Sequence, residues 1–173
     1  MKEKLICCLV LILFLVSCQK SSVDDLAKTA SDMKVIDVTS GVAPAAQPSS
    51  DKLDYLISAF TFLRSNFSSG SDSFNLISFR ISQLKYFQEA GSASFVANAS
   101  ACQRLNDFKT AKTHGTSAVS YARNAIAYLD KLGSKANVYL SDPETVKSQL
   151  RTEADNIGKG MAYLDNYLNR TCS

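Results

Sequence analysis

Acid–base and nucleophilic chemistry have few candidate side chains in this sequence. His114 is the one histidine, and it stands beside Gly115 in a predicted turn. Because a nucleophile needs a general base within hydrogen-bonding reach, the many serines have no other imidazole to activate them. Glu153 and Asp155 are two positions apart on a predicted helix, so their carboxylates diverge in direction. These patterns indicate solvated side chains, and they predict a protein that is not an enzyme and holds no cofactor.

The start of the chain carries a pattern of a different kind. Lys2 and Lys4 precede an apolar run of twelve residues, from position 5 to position 16. A helix needs about 20 apolar residues to cross a bilayer, so this run is too short to span one and fits a secretory signal. The residues at 15–18, Leu-Val-Ser-Cys, resemble the lipobox of bacterial lipoproteins. An ordinary secretory signal and a buried helix with a chance cysteine are the alternatives.

The resemblance to lipoproteins implies a cleavage site, a lipid anchor and a location. In that family the signal, here residues 1–17, is removed, and the cysteine, here Cys18, carries acyl chains of the palmitate type. Several acyl chains hold a protein on a bilayer almost indefinitely, at about 0.8 kcal/mol per buried CH₂. Gln19 stands where an aspartate favours inner-membrane retention in enterobacterial lipoproteins. The resemblance therefore implies a cell-envelope protein on the outer membrane, facing the periplasm.

Two of the five cysteines remain for the folded domain. Cys7 and Cys8 leave with the signal, and Cys18 is used by the lipid, which leaves Cys102 and Cys172. Exported proteins usually pair two such cysteines in an oxidising compartment, so we predict a disulfide between them; two free thiols are the alternative. With these thiols bonded and a single histidine in the chain, no metal site is predicted.

The net charge argues against one class of partner. The formal charge of the whole chain is +3, and it falls to +2 when Lys2, Glu3 and Lys4 leave with the signal. A nucleic-acid interface needs a clustered basic face, which this sequence does not show. No nucleic-acid partner is predicted.

Residues 18–50 have the composition of a lipid-anchored flexible tether. The stretch TSGVAPAAQPSS at 39–50 contains one glycine, two prolines and mostly small residues, as linkers do. The stretch SSVDDLAKTASDM at 21–33 predicts no more than a transient helix. A flexible chain of about 32 residues has a root-mean-square reach of roughly 30 Å. Such a tether would lift the domain off the membrane without fixing its orientation.

From Asp51 onwards, apolar residues follow the three-four spacing of amphipathic helices. Polar stretches rich in serine and glycine separate the apolar stripes. We therefore predict an all-α antiparallel bundle of four or five helices over residues 51–173. We also expect a kink or a short break at Gly115, because glycine costs about 1 kcal/mol inside a helix. The stripes are Leu53, Leu56, Ile57, Phe60, Leu63 and Phe67; Phe74, Ile77, Ile81, Leu84 and Phe87; Phe95, Ala99, Cys102, Leu105 and Phe108, continuing in Val119, Ala122, Ile126, Leu129 and Leu132; and Val146, Leu150, Ile157, Met161, Leu164 and Leu168.

Four tyrosines form the candidate partner surface. Tyr163 and Tyr167 lie one turn apart beside the last stripe, and Tyr121 and Tyr128 lie two turns apart on the preceding helix. Tyrosines that bury the ring and expose the hydroxyl are common at protein interfaces, and equally common at the edges of bundles. The predicted function is a non-enzymatic envelope lipoprotein whose bundle binds another protein, in an assembly, accessory or immunity role.

The alternative function is a binder of an apolar small molecule or lipid within the bundle. A large enclosed cavity would favour this alternative, whereas a closed core with exposed tyrosines would favour the interaction module. Seven phenylalanines could line such a cavity or simply fill the core: Phe60, Phe67, Phe74, Phe79, Phe87, Phe95 and Phe108.

Overall fold

The computed structural model describes residues 25–44, 46–95 and 101–172, and within these ranges it contains helices and no strand. The five α-helices are α1 (Leu26–Thr39), α2 (Ser50–Arg64), α3 (Asp72–Ser92), α4 (Leu105–Leu132) and α5 (Pro143–Thr171). A 3₁₀ turn precedes α4 at Ala101–Arg104, and another follows it at Gly133–Val138. In this part of the chain, none of the helices combines the length and the apolar character that a membrane span requires. The predicted all-α helical bundle is confirmed.

Side-chain caps set where three of the helices begin. Asp25 accepts a hydrogen bond from the N–H of Lys28 at 2.9 Å and starts α1. Ser71 accepts a hydrogen bond from the N–H of Phe74 at 3.1 Å and starts α3. Asp142 accepts a hydrogen bond from the N–H of Thr145 at 3.0 Å, and Pro143 is the first residue of α5. Hydrogen bonds from the Thr145 hydroxyl and N–H hold the pKa of the Asp142 carboxyl below its ordinary value. Since the first N–H groups of a helix have no partner within the helix, each cap fixes a helix start.

α3 is the central helix of the bundle. Every residue from Asn75 to Leu84 is buried, so this stretch has no solvent-facing side. The hydroxyls of Thr29 and Ser73 meet at 2.8 Å near the starts of α1 and α3, and Asp37 pairs with Arg80 about two turns further along each helix, so these two helices run parallel. α2 and α4 run antiparallel to α3, and α5 packs antiparallel on α4.

The first helix corrects the predicted flexible tether. Residues 26–39 form α1, which packs into the main core with Met33 fully buried. The bundle therefore begins at Leu26 rather than at Asp51, and only residues 19–25 separate it from Cys18. The apolar contribution of α1 is too short to stand out as a stripe in the sequence. Its buried apolar residues are Ala30, Met33 and Ile36.

α4 runs through Gly115 as a continuous helix, so the short break, one of the two expectations, is absent. Gly115 is buried where α4 meets α5. A Cβ atom at this position would lie 3.1 Å from Cγ of Met161 and 3.3 Å from Cγ2 of Ile157. The glycine weakens α4 by about 1 kcal/mol of helix propensity, but it allows α5 to approach closely.

Candidate functional site

A small hydrophobic cluster and a disulfide close the end of the bundle where α4 begins and α5 ends. We call this end the tip. Cys102 and Cys172 form the predicted disulfide, with their Cα atoms 5.4 Å apart. Because the cluster is small and separate from the main core, a covalent bond at this place adds a constraint on the last turn of α5. The cluster consists of buried Ala101, Phe108 and Leu168, with Phe95, Leu164 and Tyr167 packed against them.

The four tyrosines of the predicted partner surface have three different surroundings. Tyr121 and Tyr128 are half-buried against the main core, and each ring lies beneath a lysine ammonium group, at 5.4 and 5.2 Å respectively. Tyr167 packs in the tip cluster, and Tyr163 is exposed. These surroundings do not assemble the four rings into one exposed surface.

The sequence neighbours of His114 predict a turn, but the structure places His114 within α4. Its Nδ1 atom is 2.7 Å from Oε2 of Glu89 on α3, so the imidazole links two helices. The turn is absent because α4 continues through this position. Among the described residues, no group of three or more His, Cys, Asp and Glu side chains is placed to hold a metal ion.

Six of the eight described phenylalanines pack in the two hydrophobic clusters. The other two are Phe62, which is exposed, and Phe74, whose ring lies 5.4 Å from the guanidinium group of Arg64. Phe60 and Phe79 are fully buried in the main core, and Phe108 is buried in the tip. Phe67 and Phe87 pack against the main core from its edge. These side chains fill the bundle, and none of them lines the groove between α4 and α5.

An open groove of about 540 Å³ lies between α4 and α5, and we call it the α4–α5 groove. A Cβ atom at Gly158 would meet no atom within 4 Å. The missing side chain at Gly158 and the small one at Ala162 therefore leave this space open. The floor of the groove is formed by Gly115, Val119, Gly158, Met161 and Ala162.

Charged side chains line the rim of the α4–α5 groove. Nζ of Lys112 pairs with Oδ2 of Asp165 at 2.7 Å, and these side chains are 44% and 41% exposed. Arg123 is exposed and also lines a second depression of about 280 Å³ between the same helices. Exposed ion pairs contribute only about 0–1 kcal/mol to stability. The Lys112–Asp165 pair can therefore be exchanged for contacts with a partner at little cost to the fold. An apolar floor with a polar rim is the distribution found at protein interfaces.

A charged pair is buried in the core between α1 and α3. Nη2 of Arg80 donates to Oδ1 of Asp37 at 2.9 Å, and both side chains are fully inaccessible to solvent. Nη1 of Arg80 donates to the carbonyl of Ala46 at 3.2 Å and to Oε1 of Gln83 at 2.7 Å. The hydroxyl of Tyr139 donates to Oδ2 of Asp37. This buried network joins α1, α3 and two connecting segments.

The buried charges of this network hold the fold together and do not form a binding site. Burial raises the pKa of the Asp37 carboxyl above its ordinary value of 3.8, while the charge of Arg80 and the hydroxyl of Tyr139 act in the opposite direction. Nε of Arg80 has no hydrogen-bond partner among the described residues. Removing two charges from water costs several kcal/mol for each ion, which only good geometry offsets. Because the network has no access to solvent, it holds helices together and offers no surface to a ligand.

Asp37, Arg80 and Tyr139 were not among the residues that the sequence singled out. A signal was present in α3, where Leu76 and Phe79 lie off the predicted apolar stripe. Apolar residues on all sides of a helix are typical of a central, buried helix. Since arginine is almost never fully buried without a partner, an arginine in such a helix requires a buried acid.

Cys18 lies outside the described residues, so its lipidation stays a prediction. Comparisons with protein-family models, with curated proteins and with solved structures give no match for this chain. The fold and the α4–α5 groove are therefore the structural basis for a functional proposal.

Proposed function

We propose that this chain is a lipid-anchored, non-enzymatic protein of the bacterial cell envelope, and that its bundle binds another protein through the α4–α5 groove. The observation that carries this proposal is the open groove with an apolar floor and a charged rim. A groove of about 540 Å³ has room for a few side chains of a partner helix. The partner is an envelope protein, and the role is assembly, accessory or immunity.

The anchor in this proposal is the acylated Cys18 that the lipobox resemblance implies. Residues 1–17 are then the signal that is removed, and the mature chain sits on the outer membrane and faces the periplasm. A disulfide between Cys102 and Cys172 supports an oxidising location, because such bonds persist outside the cytosol.

The geometry supports a protein partner over an apolar small molecule or lipid. Small-molecule sites are concave and bury most of the ligand surface. The α4–α5 groove is open to solvent, and the Lys112–Asp165 ion pair lies on its rim. The buried phenylalanines, such as Phe60 and Phe79, are in the packed core.

Replacing Cys18 with alanine tests the anchor. We expect the variant to lose acylation and to leave the membrane fraction, or to accumulate as an unprocessed precursor, because the thiol that accepts the acyl chain is gone. Metabolic labelling with a fatty-acid analogue, followed by membrane fractionation, measures both effects. Labelling of the variant as strong as that of the parent would contradict the anchor.

Photocrosslinking tests the groove as the partner site. A photoreactive side chain at Ser120, an exposed position that lines the groove, should give one discrete adduct in cells. The same group at Ser58, an exposed position on α2, is the matched control and should not give that adduct. Ala162→Trp fills the groove at an exposed position and should suppress the Ser120 adduct.

Three results would contradict the groove as a partner site. They are no adduct from Ser120, the same adduct from Ser58, or a Ser120 adduct that Ala162→Trp leaves unchanged. Mass spectrometry of the adduct identifies the partner.

A further inference from the structure

The folded bundle begins close to the proposed lipid anchor. Asp25, the cap of α1, is seven residues after Cys18. A fully extended chain covers about 3.6 Å per residue, so the start of α1 lies at most about 25 Å from the lipidated residue. The buried ion pair between Asp37 and Arg80 holds α1 on the bundle. The same limit therefore applies to the end of the bundle at which α1 starts.

The start of α1 belongs to one defined end of the bundle, which we call the proximal end. Thr29 contacts Ser73 at the start of α3. Lys135 pairs with Asp72, which brings the 3₁₀ turn after α4 to the same end. Lys147 pairs with Asp130 near the end of α4, so α5 also begins there.

The tip lies at the opposite end of the bundle. From Lys147 near the proximal end to Cys172 at the tip, the chain advances 25 residues, almost all of them in α5. At about 1.5 Å per residue this distance is roughly 38 Å.

We infer that the bundle faces the membrane with its proximal end, and that the disulfide-linked tip points away from the membrane. This inference rests on the proposed anchor at Cys18. If the tip touched the membrane, the start of α1 would stand about 38 Å from the surface, which exceeds the reach of about 25 Å. A flexible tether of about 32 residues would allow either orientation, so the packing of α1 is what selects one.

The consequence concerns the surface that a partner can reach. The α4–α5 groove includes Lys112, Gly115 and Asp165, which lie in the half of α4 and α5 towards the tip. With the tip directed outward, this part of the groove faces a partner in the periplasmic space and not the lipid headgroups.

Energy transfer to a labelled membrane tests the orientation. The lipidated mature chain of the proposal, residues 18–173, offers no other reactive thiol, because Cys7 and Cys8 leave with the signal, Cys18 is acylated and Cys102 is bonded to Cys172. Ser134→Cys places a donor dye at the proximal end, and Asn106→Cys places it at the tip; both positions are exposed. Each labelled protein is bound to phosphatidylglycerol–phosphatidylethanolamine vesicles that contain an acceptor-labelled lipid. We expect severalfold higher transfer from position 134 than from position 106.

A lengthened connection provides the control. Inserting about 30 glycine and serine residues after Lys20 should bring the two transfer efficiencies together, because a connection of about 37 residues, at up to about 3.6 Å each, can extend past the length of the bundle. Equal or reversed transfer in the parent chain would overturn the inference. Failure of the protein to float with the vesicles would instead overturn the proposed anchor, so the two failures are distinguishable.

Discussion

Replacing Arg80 with methionine tests the buried network between α1 and α3. Methionine keeps an unbranched side chain but leaves Oδ1 of Asp37 and Oε1 of Gln83 without the Arg80 donor, in a buried site. Removing one partner of a buried ion pair costs about 3–5 kcal/mol. Each buried acceptor left unsatisfied costs about 1–3 kcal/mol, which is consistent with that range. We expect Arg80→Met to lower the free energy of unfolding by about 3–5 kcal/mol.

A double-mutant cycle separates the ion pair from simple loss of packing. Asp37→Leu alone leaves the charge of Arg80 buried without its partner, so its cost should be similar. The double variant Asp37→Leu/Arg80→Met buries no charge, and its cost should be far smaller than the sum of the two single costs. Urea unfolding of residues 19–173, followed by far-ultraviolet circular dichroism, gives all four free energies.

The pH dependence of the Arg80→Met deficit has a defined sign. Arg80 is one of the groups that lower the pKa of Asp37, so its loss raises that pKa further above the ordinary value of 3.8. A carboxyl with a raised pKa in the folded state favours folding in its protonated form, and this contribution is lost as the pH rises through the folded-state pKa. The deficit of Arg80→Met should therefore shrink as the pH falls from neutrality towards 3.8.

An exposed pair provides the control for this experiment. Lys28 and Asp32 pair at 3.1 Å on α1, one turn apart on the helix surface. Removing such a pair costs about 0.3–0.5 kcal/mol, so Asp32→Asn should change stability little. An Arg80→Met deficit as small as that of Asp32→Asn, or single costs that simply add in the double variant, would refute the assignment of the network to α1 docking.

Two further predictions concern the tip and the contact between α4 and α5. Replacing Cys102 and Cys172 with serine should lower the free energy of unfolding by up to about 4 kcal/mol, because the bond closes a loop of 70 residues in the unfolded chain. Urea unfolding measures this difference. Unchanged stability would contradict a structural role for the bond. Gly115→Leu should lower the free energy of unfolding by about 1–3 kcal/mol, because the new side chain overlaps Met161. Gly158→Ala meets no atom and should raise that free energy by up to about 1 kcal/mol. Thermal melts that shift in the same direction for both variants would contradict this difference in packing.

The sequence was sufficient to predict the helices with strong periodicity and defined caps. Leu150 and Leu168, two residues of the last predicted stripe, are buried, and α5 begins at the cap of Asp142. Periodicity predicts which side of a helix faces the bundle, but not how closely a neighbour packs there. Ile157 and Met161 are on the predicted stripe but only half-buried. The reason is that α5 packs mainly on α4 and leaves the groove open.

The buried network could not be predicted, because it depends on contacts between distant parts of the chain. Asp37 and Arg80 are 43 positions apart, and Tyr139 is 102 positions from Asp37. The chain has 16 acidic and 19 basic residues, and spacing alone does not indicate which two are paired in the core. Without this pair, the short apolar stripe of α1 is indistinguishable from a linker segment.

Two parts of the bundle with few buried apolar residues are each held by a bond that is specific in position. The tip has three buried apolar residues and a disulfide, and α1 has three buried apolar residues and the ion pair of Asp37 with Arg80. Three apolar side chains alone would tolerate a slip of α1 by one turn, about 5.4 Å, along α3. Such a slip would leave both charges buried and unpaired, which costs about 3–5 kcal/mol. The pair therefore sets the register of α1, and with it the short distance between Cys18 and the proximal end of the bundle.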